Sequence, residues 1–547
     1  MKCMLLGLLL PCAVAAQSLP DSTVRKIDEV FKTFTAATPG CAVAIAQGGA
    51  VTFQKGYGLA NLEYAIPNTP QTIFHIASES KQYVAFCILL LEKEGKLSLD
   101  DDIRKHLDYV PDLGATITIR HLVYHTSGLR DQWQLLANAG WQLDDVITQD
   151  HVIKLVAKQK ALNFAPGEEW MYCNTGYTLL AEIVKKVSGL SLRQYAQKNI
   201  FEPLEMKDTH FHDNYQEIVP GRAYSYNPGG EKRFNNAVLS YSTVGATSLF
   251  TTVLDEVKWL NNFKSGQVGG KDLVEKMLQT GVLNDGRKLN YAFALNVNKY
   301  KGWQQIGHGG SDAGYRTFAV RYPEKELGIV VFSNLGSADV GRLASLVADV
   351  LITDPKEDPK PSENYFKDSV LLKKITGRFY SERGDLAEFF WKEGQLYRRN
   401  PNGFTGELKF YKETDSRYRT PGGAVYIFDD KERAADSIRS MRIEMPNSAI
   451  TMKRQPAVAQ TITDAFAGKY FNPETEAFYY VTFKDGALQL SHRKYATVTL
   501  KNIAPDQFTL PFWWMGHIRF LRDKKQKVVG FEVNAGRVQH LRYDKMP

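Results

Sequence analysis

A proline-rich break most strongly limits the folds open to this chain of 547 residues. Residues 353–361 interleave three prolines with charged side chains, a composition that gives a stiff, solvated linker. Helical and strand patterns alternate before the break, whereas short alternating segments separated by glycine turns dominate after it. The sequence therefore predicts a mixed α/β (α+β) domain at residues 17–353, a linker at 354–364 and all-β material beyond.

The segment after the break repeats itself. Residues 377–380 (GRFY) are matched 91 residues later by residues 468–471 (GKYF), and a second pair of segments has nearly the same offset. Two copies of short strands between turns suit small antiparallel barrels, because closure leaves no exposed sheet edge. We predict two barrel-like repeats, at residues 365–455 and 456–547.

The first 16 residues have the pattern of an export signal. Lys2 supplies a positive charge, residues 4–10 form an apolar stretch, and small residues follow up to Ala16. We predict cleavage near Ala16 and a periplasmic or secreted protein. A lipid-modified Cys12 is the alternative, disfavoured by the proline that precedes it.

The amino-acid composition restricts the classes of molecule that the chain is expected to bind. The 68 Lys and Arg residues barely exceed the 60 Asp and Glu residues and form no basic stripe, so nucleic acid is not a predicted partner. No segment after the signal approaches the run of about 18 apolar residues that spans a bilayer. We therefore predict a small-molecule or peptide partner and leave the oligomeric state open. The three cysteines beyond the signal are expected to be small buried side chains, at least one of them unpaired.

A serine and a lysine stand at the start of a predicted buried helix. Residues 84–91 are almost entirely apolar and Gly95 is a suitable helix end, so the helix should begin near Ser78. Ser78 and Lys81 then lie three positions apart on one face, where the amine can contact the hydroxyl. The positive end of the helix dipole beside Ser78 favours developing negative charge.

The Ser-x-x-Lys pattern is weak on its own. Ser491 and Lys494 also fit it, although an alternating strand pattern there puts the two side chains on opposite faces. For Ser78 the alternative role is that of a helix N-cap. The assignment of Ser78 depends on the other motifs of the chain.

A Tyr-x-Asn pattern supplies the second motif. Tyr172 and Asn174 follow a Pro-Gly turn and precede a predicted helix at about residues 177–187. Tyr470 and Asn472 repeat the pattern inside the all-β segment. We prefer the copy at Tyr172 and Asn174 because it lies between the other two motifs in the sequence.

The third motif comprises His308, Gly309, Gly310 and Ser311. It leads into two predicted strands joined by a turn at residues 323–326. Paired glycines at the head of a strand would let a substrate backbone lie directly against it. We expect these four residues to bind substrate.

With residues 120–129 (RHLVYHTSGL), the three motifs resemble the serine β-lactamase and penicillin-binding-protein-like hydrolases. The resemblance is greatest to the branch that holds class C β-lactamases, D-aminopeptidases, D-Ala-D-Ala carboxypeptidases and esterases. It covers residues 28–354 and implies a β-lactamase-like domain with a central antiparallel sheet flanked by helices. The repeated segment resembles the lipocalin-like barrels that follow the catalytic domain in some D-aminopeptidases.

The resemblance implies a role for each motif residue. Ser78 would be the acylated nucleophile, Lys81 its proton-handling partner and Tyr172 the group that completes the base. A Lys81 ammonium beside the phenol would lower the phenol pKa. Asn174 would bind the substrate amide, and the backbone N–H groups of Ser78 and Ser311 would form the oxyanion hole.

His308 departs from most β-lactamases, which carry Lys-Thr-Gly at this place and bind the drug carboxylate with the lysine. A histidine with an ordinary pKa of about 6.5 is mostly neutral above pH 7. We therefore expect weak carboxylate capture at His308. Residues 244–249 also contain fewer glycines than many relatives, and we interpret them as pocket wall.

These inferences together predict an exported serine hydrolase that acylates Ser78 and hydrolyses small peptides or amides, including those with D-amino acids or from peptidoglycan. Alternatives are a carboxylesterase or weak β-lactamase of the same fold, and a non-catalytic penicillin- or peptide-binding module. The tail repeats are expected to cap the pocket. The aromatic residues 512–514 are expected to form barrel core or to pack on the catalytic domain, with a ligand platform as the alternative.

We predict neither a cofactor nor a metal. His121 and His125 are four positions apart but lack the glutamate of a metalloprotease helix, so we expect structural roles for both. His210 and His212 are expected to be a solvated surface pair.

Overall fold

The computed structural model describes residues 18–231, 233–354, 356, 365–399, 405–421, 423–455 and 461–547. The predicted export signal and most of the predicted linker lie outside these residues. No helix in the described part of the chain is both long and apolar enough to cross a membrane.

A six-stranded antiparallel sheet forms the centre of the first domain. Its strands, in spatial order, are Asn296–Tyr300, Trp303–Asp312, Tyr315–Tyr322, Leu327–Ser333, Cys41–Gln47 and Ala50–Tyr57. Shorter strands are Leu59–Asn61, Ile66–Pro67, Phe74–His75, Ile147–Thr148, His210–Phe211, Tyr226–Pro228, Phe234–Asn236, Tyr241–Ser242 and Leu249–Thr251.

Helices cover both faces of this sheet. The helices of the first domain are α1 (Asp21–Val30), α2 (Ser80–Lys93), α3 (Ile119–Val123), α4 (Gln132–Asn138), α5 (Gln149–Lys158), α6 (Asn174–Ser188), α7 (Leu192–Ala196), α8 (Val253–Ser265), α9 (Gly270–Met277) and α10 (Val340–Leu351). Helices α2, α6 and α8 pack on one face, whereas α1 and α10 pack on the other. The predicted central antiparallel sheet flanked by helices is confirmed.

The strand Cys41–Gln47 shows why its sequence suits this position. Successive side chains point to opposite faces of a strand. Ala42, Ala44 and Ala46 therefore enter the core that α8 covers, while Val43 and Ile45 enter the core that contains residues of α1 and α10. Burial on both faces requires an uninterrupted apolar run, and small alanines on one side leave room for the helix α8.

Two nine-stranded sheets follow. The first contains Gly377–Tyr380, Leu386–Lys392, Gln395–Arg399, Thr405–Glu407, Tyr411–Lys412, Arg417–Arg419, Val425–Ile427, Ser440–Glu444 and Ala449–Arg454, with the short helices α11 (Ser369–Lys374) and α12 (Asp430–Ala434). The second contains Gly468–Asn472, Ala477–Lys484, Ala487–His492, Tyr495–Thr499, Lys501–Ala504, Gln507–Thr509, His517–Arg522, Val528–Ala535 and Val538–Lys545.

Both sheets have the same topology. Numbered within each sheet, the strands lie in the order 4-3-2-1-9-8-7-6-5, so the first strand pairs with the last and each sheet curls into a nearly closed barrel. Phe379 opposes Arg454 in the first barrel, and Tyr470 opposes Lys545 in the second. The prediction of two barrel-like repeats is confirmed, while the exact boundaries at residues 365–455 and 456–547 stay predictions.

The second barrel shares its hydrophobic core with the first domain, which contains residues 18–354. Leu135 and Leu136 of α4 belong to the same buried cluster as Met515 and Val538 of the barrel. The first barrel instead has a cluster of its own, built around Phe389 and Tyr426. Apolar burial across the junction therefore fixes the second barrel against the first domain.

Candidate active site

A cleft of about 700 Å³ lies where the catalytic domain meets the second barrel. Seven of the eight predicted site residues line it: Ser78, Tyr172, Asn174, His308, Gly309, Gly310 and Ser311. The eighth, Lys81, is fully buried and contacts Ser78. Three motifs that are far apart in the sequence therefore meet in one site.

Ser78 lies in a tight turn directly before α2. The turn Ala77–Glu79 is a 3-10 helix, and α2 begins at Ser80, two residues later than expected for a helix that starts at Ser78. Ala77 has a φ of 50°, a left-handed conformation that costs an alanine about 1–2 kcal/mol. Strained backbone beside a candidate nucleophile is characteristic of functional sites.

Gly310 allows the strand Trp303–Asp312 to approach this turn. A Cβ atom at Gly310 would lie 2.1 Å from the Ile76 carbonyl oxygen and 2.3 Å from Thr317 Oγ1. At Gly309 the nearest atoms would be 3.4 Å away, an ordinary contact. The absence of a Cβ atom at Gly310 thus makes room for the backbone before Ser78. The sequence predicts instead that both glycines make room for a substrate.

Lys81 donates hydrogen bonds to three uncharged oxygens. Its Nζ lies 3.1 Å from Ser78 Oγ, 2.9 Å from Asn174 Oδ1 and 2.6 Å from the Ala246 carbonyl oxygen. Burial, assisted by the positive charge of Arg537, lowers the pKa of Lys81 to about 7. The amine that contacts the serine is therefore partly uncharged at neutral pH.

Tyr172 lies beside this amine and is half-buried. Lys81 Nζ lies 4.8 Å from the centroid of the Tyr172 ring. Burial raises the pKa of Tyr172, against opposing effects of the Ser78 hydroxyl and the Arg537 charge. The lowered phenol pKa expected for an ammonium beside Tyr172 is wrong, because burial penalises the charged phenolate more than the neighbouring groups stabilise it.

His125 holds the Tyr172 segment from both sides. Its Nδ1 accepts the Cys173 N–H at 3.1 Å, and its carbonyl oxygen accepts the Met171 N–H at 2.9 Å. The ring is buried, with Nε2 3.2 Å from the Tyr291 hydroxyl. His125 therefore has the structural role that the sequence predicts.

Asn174 is oriented by a buried carboxylate. Asp131 Oδ2 accepts both the Asn174 backbone N–H and the side-chain Nδ2, each at 2.8 Å. The Asn174 Oδ1 atom consequently faces Lys81. One hydrogen of Nδ2 is left for a ligand in the cleft.

His308 lies in the cleft wall as a neutral ring. Its Nδ1 lies 2.7 Å from the Gly309 carbonyl oxygen, and its Nε2 lies 3.2 Å from the Tyr291 hydroxyl. Burial, assisted by Lys81, lowers the pKa of His308 to about 4. A histidine of this pKa carries no charge at neutral pH, as the sequence analysis expects.

Asp312 adds a second acid to the cleft. Its Oδ2 accepts the Thr247 hydroxyl at 2.9 Å. Burial raises the pKa of Asp312 to about 6, against the opposing effects of Thr247 and Lys81. Its charge consequently changes within one or two units of neutral pH.

A hairpin turn of the second barrel enters the cleft. Gly536 and Arg537 connect the last two strands of the barrel, and both line the cleft. The Arg537 guanidinium carbon lies 4.7 Å from the centroid of the Tyr172 ring. The second barrel therefore forms part of the site, as expected for a repeat that caps the pocket.

The sequence of the catalytic domain decides its family. Residues 27–352 match the Beta-lactamase family. The chain belongs to the Beta-lactamase family. This match confirms the resemblance inferred from the Ser-x-x-Lys, Tyr-x-Asn and His-Gly-Gly motifs.

Individual relatives of this β-lactamase-family chain are distant. Penicillin-binding protein 4* of Bacillus subtilis is 28% identical over 375 residues, which cover 65% of this chain and 82% of the relative. A D-aminopeptidase of Brucella anthropi is 24% identical over 548 residues, covering 96% of this chain and 98% of the relative. The solved octameric penicillin-binding protein homologue from Pyrococcus abyssi is 25% identical, with a TM-score of 0.54, and the match covers 87% of this chain and 98% of that one. These relatives support a hydrolase, and the D-aminopeptidase match extends through both barrels.

The aromatic residues 512–514 lie where this β-lactamase-family domain contacts the second barrel. Trp513 lines the cleft, and its carbonyl oxygen accepts Gln134 Nε2 at 3.2 Å. The Trp514 carbonyl oxygen accepts Asn138 Nδ2 at 3.0 Å. The structure thus places the cluster against α4, in agreement with the expected packing on the catalytic domain.

One histidine cluster outside the cleft has metal-ligand chemistry. Candidate ligand atoms of His210, His212 and Glu217 lie within 4.8 Å of one another. His212 is 3% exposed, so the expectation of a solvated surface pair is wrong. Glu217, however, is already paired with both Nη atoms of Arg193, at 2.5 and 2.8 Å. A cation would compete with this guanidinium, and we assign no metal to the cluster.

The sequence assigns no role to three residues of the site, Asp131, Asp312 and Arg537, and it assigns a different role to Ala246. Ala246 was noted only as pocket wall, yet its carbonyl oxygen binds Lys81. Asp131 and Asp312 lie within two residues of recognised motifs, and that proximity is a signal in the sequence. Arg537 carries no comparable signal, because it comes from another domain.

Proposed function

We propose that the chain is an exported serine hydrolase that forms an acyl-enzyme on Ser78 and releases it with water. The observation that carries this proposal is the 3.1 Å contact between Lys81 Nζ and Ser78 Oγ, together with the lowered pKa of about 7 for Lys81. An uncharged amine at that distance can accept the hydroxyl proton and make the serine a nucleophile.

Acylation then follows from the positions of the groups. Ser78 Oγ attacks the substrate carbonyl carbon as its proton passes to Lys81 Nζ. We infer that the proton reaches the leaving amine through the Tyr172 hydroxyl, since Tyr172 lines the cleft and its ring centroid lies 4.8 Å from Lys81 Nζ. The backbone N–H groups of Ser78 and Ser311 would stabilise the oxyanion, a contribution of about 10²- to 10³-fold.

Deacylation uses the same groups in reverse. A water molecule attacks the ester carbonyl of acylated Ser78 and gives a proton to the Tyr172–Lys81 pair. The pair returns a proton to Ser78 Oγ as the carboxylic acid leaves. Asn174 would hold the acyl amide through its free Nδ2 hydrogen during both steps.

The substrates we infer are small peptides and amides, including those with D-amino acids or derived from peptidoglycan. A cleft of about 700 Å³ has the volume of a small-ligand site. The neutral His308 at the place of the usual lysine disfavours a dedicated β-lactamase. A carboxylesterase or weak β-lactamase remains the alternative within the class, and a binding module the alternative outside it.

Export is part of the proposal. Residues 1–16 combine a positive start, an apolar stretch and small residues before the expected cleavage near Ala16. A periplasmic or secreted enzyme would meet peptidoglycan fragments. Mass spectrometry of the mature protein from an exporting bacterial host tests this directly, since the proposal predicts an N-terminus at Gln17.

Intact-mass spectrometry after exposure to a fluorophosphonate tests the nucleophile. We expect a single adduct on the wild type and on Ser491→Ala, which removes the serine of the second Ser-x-x-Lys pattern in the second barrel. Ser78→Ala should give no adduct. An unlabelled wild type of native fold would contradict the proposal and favour the binding module.

Hydrolysis assays then separate the substrate classes. The proposal predicts turnover of D-amino-acid amides or D-peptides and slower turnover of a p-nitrophenyl ester or a chromogenic cephalosporin. Preferred cleavage of the ester would favour the carboxylesterase. Preferred cleavage of the cephalosporin would favour the β-lactamase.

A further inference from the structure

His308 does not supply the cleft with a positive charge. His308 is neutral, and Lys81 is committed to Ser78. Among the described residues that line the cleft, Arg537 is the one lysine or arginine. Arg537 therefore supplies the cationic side chain of the cleft, which the carboxyl groups of Asp131 and Asp312 also line.

The backbone of Arg537 is held by the catalytic domain. The Arg537 N–H donates to Gln134 Oε1 at 2.7 Å, and the Arg537 carbonyl oxygen accepts Asn163 Nδ2 at 2.9 Å. The same oxygen accepts the Asp131 N–H at 3.3 Å. Gly536, with a φ of 53°, allows the tight turn. The backbone from which the guanidinium projects is therefore fixed in place before any substrate arrives, which reduces the entropy cost of binding.

Within the described part of the chain, the carboxylate paired with the Arg537 guanidinium is that of Asp131, and it is not hydrogen-bonded to the guanidinium. Its Nη1 lies 3.8 Å from Asp131 Oδ2, beyond hydrogen-bond length, and that oxygen already accepts two bonds from Asn174. The Arg537 side chain is 44% exposed. A guanidinium carries five N–H donors in a planar fork that matches a carboxylate.

We propose that Arg537 is a carboxylate-binding residue, so that the enzyme prefers peptides or amides with a carboxylate close to the bond that is cleaved. The inference rests on the proposed function and names the substrate class of that same site. The sequence predicts weak carboxylate binding at His308. Arg537 of the second barrel would instead bind the carboxylate strongly.

The carboxylate can belong to the leaving group or to the acyl side chain. N-acetyl-D-Ala-D-Ala and its C-terminal amide form one matched pair of ligands. N-acetyl-D-Glu methylamide and N-acetyl-D-Gln methylamide form the other. Within each pair only the carboxylate changes, and the pair that responds identifies its source.

Calorimetry in the Ser78→Ala protein tests the proposal without relying on turnover. We expect at least one carboxylate ligand to bind about 10- to 100-fold more tightly than its amide partner. Adding Arg537→Gln should abolish this preference, whereas Arg537→Lys should retain part of it. Arg542→Gln is the matched control, because Arg542 is on the same hairpin, exposed and paired with Asp544.

Two results would overturn the inference. One is a Ser78→Ala protein that binds neither carboxylate more tightly than its amide. The other is a carboxylate preference that survives Arg537→Gln in a folded protein. Neither result would contradict the proposed function, because fluorophosphonate labelling of Ser78 is measured separately in the protein with Ser78 intact.

Discussion

Arg130 of the catalytic domain and Glu474 of the second barrel form a buried ion pair. Arg130 Nη1 lies 2.6 Å from Glu474 Oε2, and the two side chains are 1% and 8% exposed. Arg130 also donates from Nε and Nη2 to the carbonyl oxygens of Gln539 and His540, each at 3.0 Å. Arg130 thereby ties the catalytic domain to the strand that follows the Arg537 turn.

Glu474→Gln should destabilise the protein markedly. Removing one member of a buried pair leaves the other charge uncompensated and costs about 3–5 kcal/mol. Glu476→Gln is the matched control, because Glu476 forms an exposed pair with Lys158 whose loss should cost at most about 1 kcal/mol. Urea denaturation followed by circular dichroism measures both. Equal effects of the two substitutions would show that the buried pair does not hold the junction.

The pH dependence of Ser78 reactivity should report Lys81. Its pKa of about 7 means that the amine is protonated and inactive as a base in acid and uncharged above neutral pH. The rate of fluorophosphonate labelling should therefore fall about tenfold per pH unit below pH 7 and level off above it. A rising limb above pH 10 instead would identify the Tyr172 phenol, whose pKa is raised by burial, as the base.

Two substitutions in the cleft should move this limb in opposite directions. The positive charge of Arg537 lowers the Lys81 pKa, so Arg537→Gln should shift the limb to higher pH, by up to about one unit. The negative charge of Asp312 raises the same pKa, so Asp312→Asn should shift the limb to lower pH. Labelling rates between pH 5 and 9 measure both shifts. Shifts of the same sign would exclude Lys81 as the titrating group.

The sequence predicted those contacts of the site that lie within one short segment, because local secondary structure sets their geometry. Ser78 and Lys81 are three residues apart at a helix start, and helical spacing alone brings them together. The paired barrels also follow from a local pattern, the repeat of about 90 residues, whereas the central antiparallel sheet was implied by the family resemblance.

The parts that the sequence could not predict depend on tertiary packing. The pKa of Tyr172 is set by burial, which no local pattern shows, and its direction was therefore mispredicted. The sequence predicts His210 and His212 as a solvated surface pair, but the His212 ring is buried by packing that a two-histidine pattern does not show. Arg537 is separated from Tyr172 by 365 positions, so only the docking of the second barrel reveals it.

The strained conformation of Ala77 should limit which residues the nucleophile turn accepts. A β-branched side chain fits the left-handed region poorly, so Ala77→Val should reduce both stability and the labelling rate of Ser78. Glycine adopts this region freely, and Ala77→Gly should leave the stability within about 1 kcal/mol of the wild type. Thermal unfolding and labelling kinetics check both. A Val variant as stable and reactive as the Gly variant would mean that the turn is not constrained at Ala77.

Gly310→Ala should impair catalysis more than Gly309→Ala. The new Cβ at Gly310 would collide with the Ile76 carbonyl oxygen at 2.1 Å, and the backbone before Ser78 would have to move. A displacement of about 1 Å at a reacting group can cost about 10²-fold in rate, and we expect a loss of that order for Gly310→Ala. The Cβ at Gly309 would meet no atom closer than 3.4 Å among the described residues, so its smaller loss should reflect only the narrower cleft. Labelling rates of Ser78 in the two folded variants decide the matter, since equal rates would mean that the space at Gly310 does not position the nucleophile.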